Sequence, residues 1–396
     1  MSGPLGPVGR DGWGRPGTAG TGEARGAAGA TVGSPPRLRL SLRLNNDLPP
    51  SQFLEIATAA EEAGFDQLWV SHDLLLRSAP VLLAAAARET SRIKLGAGVL
   101  NPYSAHPVEL AMHAATLQEL SGGRALLGIG AGAAGLLGAA GVPRPEPLAR
   151  TRAALASCRA MLGAAPSAAG PRPGPASTEA AASGRAPAAE ARLAIPLPVP
   201  VPVYLGAMGP RMLELAGELA DGALALLYPP EHYPLARSQV LLGAERAGRS
   251  PGELDLPACV WVSVDEDRAA AEAALADKLA FFGQELSPYL LARAGMRPED
   301  FAPAKGALEG GDRSRARSLV TPAMLRLGIA GTPEEVASRC AGLVLGGAAH
   351  LSFGPPLGPD PLRAVGTLSR QVVPLLEEAV VAWRAQPAGS SPGEMR

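Results

Sequence analysis

The chain has 396 residues, a formal net charge of −1 and a hydrophobic fraction of 47%. The near-neutral charge argues against a nucleic-acid partner or an anionic membrane surface, and no apolar run reaches the ~18 residues that span a bilayer. Cys158, Cys259 and Cys340 lie far apart and include no CxxC pair, so they predict reduced thiols in a cytoplasmic protein.

Three segments are predicted to lie outside the folded core. Residues 1–36 contain many Gly, Arg and Pro and almost no large apolar residues, which is typical of a disordered tail, and the apolar segment of a secretory signal does not follow the arginines. Residues 163–195 form a low-complexity insertion rich in Ala, Pro, Gly and Ser, and residues 386–396 a second disordered tail. The rest of 37–385 is long enough for one large α/β domain.

Eight strands are predicted, and most are followed by a helix. In chain order they cover residues 38–44, 67–71, 93–99, 124–130 and 203–207, the segment ALALL after Gly222, and residues 258–264 and 349–353. Helices are predicted between Pro49 and Gly64, at 79–90, 107–120 and 148–162, from Pro210 to Gly222, in a long excursion over 270–325, and at 332–344 and 361–382. Eight βα units of this length predict a (β/α)8 TIM barrel with excursions after strands four and seven.

A glycine-rich segment follows strand four. Gly130, Gly132 and Gly135 match the GxGxxG pattern of dinucleotide-binding Rossmann folds, which would require a strand ending in Asp or Glu about 20 residues later. That region is instead a proline-containing loop followed by a helix, and three βα units precede the glycines, whereas the Rossmann pattern belongs to the first unit. Gly130 and Gly132 are therefore predicted to clear space for a ligand at a barrel mouth.

The turn after strand five is a candidate phosphate site. Gly206, Ala207, Met208, Gly209 and Pro210 join the end of a strand to the start of a helix, so small residues leave backbone amides open beside the positive end of the helix dipole. TIM barrels often bind phosphate at such turns. The alternative is an ordinary tight turn between a strand and a helix.

The end of strand three is a second candidate ligand surface. Gly98 permits unusual backbone geometry, and Asn101 precedes a proline, which favours extended backbone. A bulge over Gly98, Val99 and Asn101 would present backbone to a flat ligand. The alternative is a glycine kink at a barrel corner.

Two histidines and a carboxylate fall at one predicted rim. His72 and Asp73 end strand two, and His106 begins the helix after strand three. Because neighbours on a strand point to opposite faces, only one of His72 and Asp73 easily faces the barrel axis. For both histidines, a functional role and a structural role are alternatives. The other histidines lie apart along the chain, so no metal site is predicted.

Longer stretches of the chain resemble one known family. They read EEAGFDQLWVSHD, RIKLGAGVLNPYSAHP, TLQELSGGRALLGIGAG, VPVYLGAMGPRMLELAGELADGAL, VSVDEDRAAA, AGTPEEV and GPPLGPD. In this order, from about residue 38 to 380, they resemble the luciferase-like superfamily, and within it the coenzyme F420-dependent branch typified by methylenetetrahydromethanopterin reductase. The specific motifs are NPYSxHP and YLGAMGPRM.

The resemblance implies a TIM barrel that binds coenzyme F420, a deazaflavin, at the carboxyl ends of its strands. It implies a non-prolyl cis peptide at Gly98–Val99 behind the deazaisoalloxazine ring, with the cofactor phosphate at the turn after strand five. The deazaflavin C5 would exchange a hydride with a substrate that the protein positions. The predicted cofactor-binding residues are Gly98, Val99, Asn101, His106, Gly130, Gly132, Gly206, Ala207, Met208, Gly209 and Pro210.

Three positions depart from the family's pattern. The family usually has Asp-His at the end of strand two, where this chain has His72-Asp73, and by counting Arg43 takes the place of a first-strand carboxylate. Ala133 and Ala134 replace the acidic residue that often follows the GxG of strand four. A protonation partner for tetrahydromethanopterin would be missing, so another substrate is expected, and Arg43 favours an anionic substrate or cofactor group. His72, Asp73 and Arg43 are the predicted catalytic residues.

The sequence therefore predicts an F420-dependent oxidoreductase that acts on a small organic substrate, in a homo-oligomer by analogy with the family. One alternative is an FMN-dependent luciferase-like monooxygenase that receives reduced flavin from a partner. Another is a catalytically inactive barrel that binds a cofactor, and a Rossmann dehydrogenase is more distant. No nucleic-acid partner, membrane partner or metal is expected.

Overall fold

The computed structural model describes residues 37–163 and 192–385, except residues 198 and 227. The predicted tails at 1–36 and 386–396 lie outside these residues, as does most of the predicted insertion at 163–195. Across the described part of the chain, no helix has both the length and the apolar character needed to cross a membrane.

Parallel strands form a closed barrel. The strands are β1 (Arg39–Leu44), β2 (Gln67–Val70), β3 (Lys94–Leu100), β4 (Ala125–Ile129), β5 (Val203–Ala207), β6 (Gly222–Leu226), β7 (Ala258–Val264), β8 (Ile329–Gly331) and β9 (His350–Leu357). β1 pairs with β2 on one side and β9 on the other, and β9 pairs with β7, so the order β1-β2-β3-β4-β5-β6-β7-β9 closes on itself. The predicted (β/α)8 TIM barrel is confirmed, with β9 as its eighth strand.

Helices cover the outside of the barrel and build the excursions at its carboxyl end. They are α1 (Pro50–Glu62), α2 (Ala79–Glu89), α3 (Pro107–Leu120), α4 (Ala134–Ala139), α5 (Pro147–Met161), α6 (Pro210–Leu219), α7 (Tyr233–Arg246), α8 (Arg268–Phe282), α9 (Pro288–Arg293), α10 (Ala302–Glu309), α11 (Arg313–Ser318), α12 (Pro322–Leu325), α13 (Pro333–Leu345), α14 (Pro361–Thr367) and α15 (Val373–Arg384). Several begin with proline, whose missing N–H would have no helical acceptor in the first turn. The predicted excursions after β4 and β7 contain α4 with α5 and α8 to α12, respectively.

Elements outside the predicted set include the short helix α4, the strand β8 and the helix α7. β8 is a three-residue strand that pairs only with the last residues of β7. Helix α7 packs tightly against α6, because a Cβ at Gly217 or at Gly243 would collide with the backbone of the other helix. Neither β8 nor α7 has a pattern long enough or periodic enough to stand out in the sequence, since both depend on tertiary contacts.

Alternate residues of the strands face two different environments. On β1, Leu40, Leu42 and Leu44 point outward and are buried under the helices. Ser41 and Arg43 point into the barrel, where Arg43 reaches β7. The strands are buried on both faces, as in other parallel sheets, and their inner face can carry polar groups without disturbing helix packing.

A buried polar network closes the amino-terminal end of the barrel. The Asp255 carboxylate, which precedes β7, accepts hydrogen bonds from Tyr204 at 2.8 Å and from Arg39 at 2.6 Å. Its two oxygens lie 3.0 and 3.1 Å from Nδ1 of His350, and Gln67 lies 3.4 Å away. The network thus joins β1, β2, β5 and β9 to the start of β7. It lies opposite the mouth formed by the carboxyl ends of the strands, so its role is structural.

The excursion after β7 forms a second hydrophobic cluster at the carboxyl end of the barrel. Leu275 and Leu279 of α8 belong to this cluster together with Trp261 of β7 and Tyr228, which follows β6. The Trp261 and Phe282 rings meet edge to face with centroids 6.0 Å apart. These contacts hold α8 beside the mouth, where it can contribute side chains to a site.

Candidate active site

The end of β3 departs from regular strand geometry. The peptide bond Gly98–Val99 is cis, as the resemblance implied, and the pairing of β3 with β4 changes register between Ala97 and Leu100. The predicted bulge is therefore present at this strand end. It turns the Val99 side chain toward β4 and β5.

Glycines on the neighbouring strands make room for Val99. A Cβ at Gly130 would collide with Cγ2 of Val99, and a Cβ at Gly206 would lie 2.9 Å from its Cγ1. Gly130 and Gly206 therefore accommodate a side chain of the protein directly and shape the mouth through it. Gly132 has a different requirement, because its φ of +69° lies in the left-handed region that favours glycine.

Gly130→Ala is expected to destabilise the fold by about 1–3 kcal/mol, because β-branched Val99 is stiff about χ1 and has little freedom to avoid the added methyl group. Gly138→Ala is the matched control, since a Cβ at Gly138 in α4 would meet nothing within 4 Å. The control should be neutral or stabilise by up to about 1 kcal/mol. Urea unfolding followed by circular dichroism measures both, and an unchanged midpoint for Gly130→Ala would contradict this packing.

Asn101 and His106 order the loop between β3 and α3. The Asn101 side-chain oxygen accepts hydrogen bonds from the backbone N–H groups of Tyr103 and Ser104 at 3.0 and 2.9 Å. Nδ1 of His106 accepts the N–H of Val108 at 3.3 Å and thereby caps α3. Both residues thus set the shape of the rim, and their contact with a cofactor stays a prediction.

The turn after β5 places the start of α6 at the mouth. Gly209 is the N-cap residue and has no side chain to cap the helix, and Pro210 is the first helical residue. The first N–H groups of a helix have no helical acceptor and carry the positive end of its dipole. A Cβ at Gly209 would meet nothing within 4 Å, so there is space beside this end. The turn can therefore bind an anion.

The two residues after β2 point in different directions. Asp73 turns into the mouth, where its carboxylate accepts a hydrogen bond from Ser71 Oγ at 3.3 Å. Nδ1 of His72 instead accepts the N–H of Ala79 at 3.2 Å, so this ring caps α2 on the outside of the barrel. Burial raises the pKa of Asp73, partly offset by the positive charge of Lys278. Asp73 is the member of the pair that can exchange a proton with a ligand in the mouth.

Arg43 lies inside the barrel. Its Nη2 donates to the carbonyl of Val260 on β7 at 2.9 Å, while its Nε is buried and has no hydrogen-bond partner among the described residues. Gly354 on β9 permits this position, because a Cβ there would collide with the guanidinium group. Burial lowers the pKa of Arg43, but a guanidinium group stays charged in proteins. The structure thus brings this predicted residue into the site with an unused donor.

Lys278 of α8 is a site residue that the sequence analysis did not single out. Its Nζ lies 5.4 Å from the ring centre of Trp261 and 4.9 Å from that of Phe282. The Asn45 side-chain oxygen, at the end of β1, lies 3.4 Å from Nζ. The ammonium group therefore projects from the excursion over the barrel mouth, held between two aromatic rings and an amide.

Burial shifts the pKa values of Arg43, Asp73 and Lys278 at the barrel mouth. Burial lowers the pKa of Lys278 to about 8; the charge of Asp73 opposes this shift and that of Arg43 adds to it. In the described part of the chain, neither Arg43 nor Lys278 has a carboxylate oxygen within 4.0 Å. Perturbed groups of this kind cluster at functional sites. The three groups can bind an anion and exchange a proton. No three potential metal ligands come together among the described residues.

The chain matches one known protein family. The family described as luciferase-like monooxygenase matches residues 27–350. The chain is 33% identical over 327 residues to the 5,10-methylenetetrahydromethanopterin reductase of Methanolobus tindarius, a match that covers 82% of this chain and 96% of the relative. It is 30% identical over 346 residues to the F420-dependent glucose-6-phosphate dehydrogenase of Kineococcus radiotolerans, covering 83% and 93%, respectively.

The fold also matches a solved structure of the same kind. The coenzyme F420-dependent tetrahydromethanopterin reductase of Methanopyrus kandleri superimposes with a TM-score of 0.72 and 30% identity. The match covers 85% of this chain and 99% of that enzyme. The likeness therefore extends over nearly all of that enzyme's chain.

Proposed function

The chain belongs to the luciferase-like monooxygenase family, and from that premise we propose that it is a coenzyme F420-dependent oxidoreductase that transfers a hydride between the deazaflavin and a small organic substrate. Relatives at 30% identity are F420-dependent enzymes by name. The observation in this structure that carries the proposal is the bulge of β3 between Ala97 and Leu100, which lies on the same barrel mouth as the start of α6.

The residues present fit a flat deazaflavin that carries a phosphate. The β3 bulge offers backbone, rather than a large side chain, as a surface behind a ring system. The turn from Gly206 to Pro210 offers the amides of a helix start to a phosphate. We propose that the loops containing Asn101, His106 and Gly132 border the ring.

The chain's own residues supply position and proton transfer. When bound, F420 supplies two-electron hydride chemistry at its C5 carbon. Asp73, whose pKa is raised by burial, takes the proton from a substrate that is being oxidised and returns it in the reverse direction. Arg43 orients a polar substrate group through its unused Nε donor. The Trp261 and Phe282 rings pack against the Lys278 ammonium group and cover part of it.

The substrate we propose is not tetrahydromethanopterin. Ala133 is the residue before α4 and Ala134 is its first residue, and neither side chain is acidic. Arg43 lies on β1 and, by counting along the sequence, takes the place of a carboxylate in the family pattern. Asp73, which follows a different strand, places a carboxylate in the mouth. The Glu285 carboxylate lies beside Gly135 of α4 and accepts its N–H at 3.4 Å. A substrate bound here would therefore meet its proton acceptor from the β2 side and a cation from the β1 side.

Gly209→Asp is expected to weaken F420 binding about 10–100-fold, because a carboxylate beside the start of α6 would repel the phosphate at close range. The side chain has space, and Asp is a preferred N-cap residue, so the fold should be as stable as the wild type or more so. Gly209→Ser, which caps without charge, is the control and should bind F420 like the wild type. Fluorescence titration measures all three proteins. Unchanged affinity in Gly209→Asp would remove the phosphate from this turn.

We also propose that the protein is a cytoplasmic homo-oligomer. Cys158, Cys259 and Cys340 are buried free thiols, which suits a reducing compartment. Val81 on α2 and Met112 on α3 are 68% and 51% exposed, and contiguous exposed apolar surface can mark a contact with a second subunit. Light scattering of the purified chain tests the assembly, and a monomer at micromolar concentration would contradict it.

A further inference from the structure

We propose that Lys278 and Arg43 bind the anionic group of the substrate, and that this substrate is an organic acid or phosphate ester with an apolar body. The inference rests on the proposed function in one respect, since it takes the barrel mouth as the substrate site. It adds the chemical class of the substrate and a specificity-determining residue, Lys278.

Lys278 carries a charge that the surrounding protein does not neutralise by contact. Its nearest polar partner is the neutral Asn45 amide oxygen at 3.4 Å, and its other neighbours are the faces of Trp261 and Phe282. Removing an ammonium group from water is costly unless it is paired. Such a side chain is stabilised most by an anion that enters the site with it.

Arg43 adds a second cation on the same side of the mouth. It lies on β1, two residues before Asn45, which follows the strand and contacts Lys278. Its charge is close enough to lower the pKa of Lys278, and its Nε is an unused buried donor. Two cations that repel each other and lack a contacting carboxylate define a place for an anion between them.

Two carboxylates lie near Lys278, but neither forms an ion pair with its ammonium group. Asp73 and Asp47 both act on Lys278 at a distance, without an ion pair within 4.0 Å. The pKa of Asp73 is itself raised by burial, so the site stabilises its negative charge poorly. Arg43 and Lys278 therefore remain available for an incoming anion.

A groove leads from solvent to Lys278 and gives the substrate its apolar part. It has a volume of about 570 Å³ and runs between α8 and the loops that follow β1 and β9. Ala270, Ala274, Phe281 and Pro356 form an apolar part of its wall, and Lys278 and Asn45 also line it. The other charged residues on its wall are Asp47, Asp277, Arg313 and Arg317. Phe281 is 58% exposed, as expected for a wall that a ligand covers. The groove thus fits an alkyl or aryl chain whose charged end reaches Lys278.

The test uses octanoate and octyl phosphate as anionic probes and octanol as the uncharged probe of the same length. Calorimetry on the full chain at pH 8.5 should give binding of at least one anion about tenfold or more tighter than octanol, the range expected of one charged hydrogen bond. At this pH an anion recharges Lys278, so comparison of two buffers should reveal proton uptake. The charged groups that face Lys278 are Arg43, Asp73 and Asp47.

Lys278→Met should remove the preference for the anion and the proton uptake. Lys94→Met makes the same change of charge at an exposed residue at the other end of the barrel, and should behave like the wild type. Equal affinity of the wild type for octanol and both anions, or unchanged anion binding in Lys278→Met, would overturn the inference.

F420 titration of the same proteins separates the two proposals. Loss of F420 affinity in Lys278→Met with anion preference intact would assign Lys278 to the cofactor and overturn the inference. Absence of F420 binding in the wild type would count against the proposed function alone.

Discussion

Replacement of Asp73 by asparagine should lower kcat by about 10²–10⁴-fold, the range for loss of a general acid–base group, with any substrate that the wild type oxidises with F420. Asn keeps the size and the hydrogen bond with Ser71 but neither accepts nor returns a proton. F420 affinity should stay within about threefold of the wild type, because Asp73 is not among the residues that bind the cofactor in this proposal. Steady-state kinetics and fluorescence titration measure the two quantities.

The pH dependence of the activity tests the role of Asp73 independently. In the direction of substrate oxidation Asp73 works as a carboxylate, so activity is lost as the pH falls through its pKa. Burial raises that pKa, so the loss should begin above the usual range of an aspartate, which is centred at about 3.9. The acidic limb of the profile should be absent in Asp73→Asn.

His72→Asn is the matched control for Asp73. Asn can still accept the N–H of Ala79 and cap α2, which is the contact that His72 makes. If Asp73 rather than His72 transfers the proton, His72→Asn should retain most of the wild-type kcat. A large loss in His72→Asn together with a small loss in Asp73→Asn would assign the proton transfer to the histidine.

Asp255→Ala is expected to destabilise the protein by about 3–5 kcal/mol, the cost of removing one partner from a buried charge pair. The substitution leaves Arg39, His350 and Tyr204 without their shared acceptor in the closed end of the barrel. The midpoint of urea unfolding measures the effect. Glu214→Ala provides the surface control, since its pair with Arg246, which is 62% exposed, should contribute at most about 1 kcal/mol.

The same network should make stability sensitive to acid. Burial alone would raise the pKa of Asp255, but the hydrogen bond from His350 and the charge of Arg39 outweigh it and hold the pKa below its usual range. The stabilisation is therefore fully present above the unfolded value of about 3.9 and is lost as the pH falls through the lower folded value. Asp255→Asn should show a weaker decline of stability over that interval. Equal declines in both proteins would show that Asp255 is not the titrating group.

Much of the fold follows from short-range patterns in the sequence. Alternating prolines end just before Val203 and exclude a central strand until that point, so the predicted bounds of β5 match the structure. Pro210 similarly fixes the start of α6. In contrast, β8 has three residues and exists only through its pairing with β7, and α7 becomes evident through its close packing on α6.

The candidate site was less accessible from the sequence. The alternation of strand residues separates His72 from Asp73 but does not say which one enters the barrel, because that depends on register with β1 and β3. The sequence predicts that Gly130 clears space for a ligand and that Gly206 leaves backbone amides open, whereas in the structure both glycines make room for the Val99 side chain of β3. Local sequence carries no information about either distinction.

Lys278 and Asp255 required long-range contacts to be recognised. Lys278 is separated from Asn45 by more than half of the chain, and only the packing of α8 on β7 brings it to the mouth. Its one signal in the sequence is rarity, because the chain has only three lysines. His350, which the sequence left apart from the other histidines, acquires its role from Asp255 in the same way.

The most direct test of the account is a pair of titrations of the purified chain, one with F420 and one with FMN, followed by ligand fluorescence. We expect saturable binding of F420 and much weaker binding of FMN, with Gly209→Asp reducing the F420 signal. Tight binding of FMN without binding of F420 would contradict it and would favour a flavin-dependent monooxygenase. Binding of neither would leave a family member without the proposed activity.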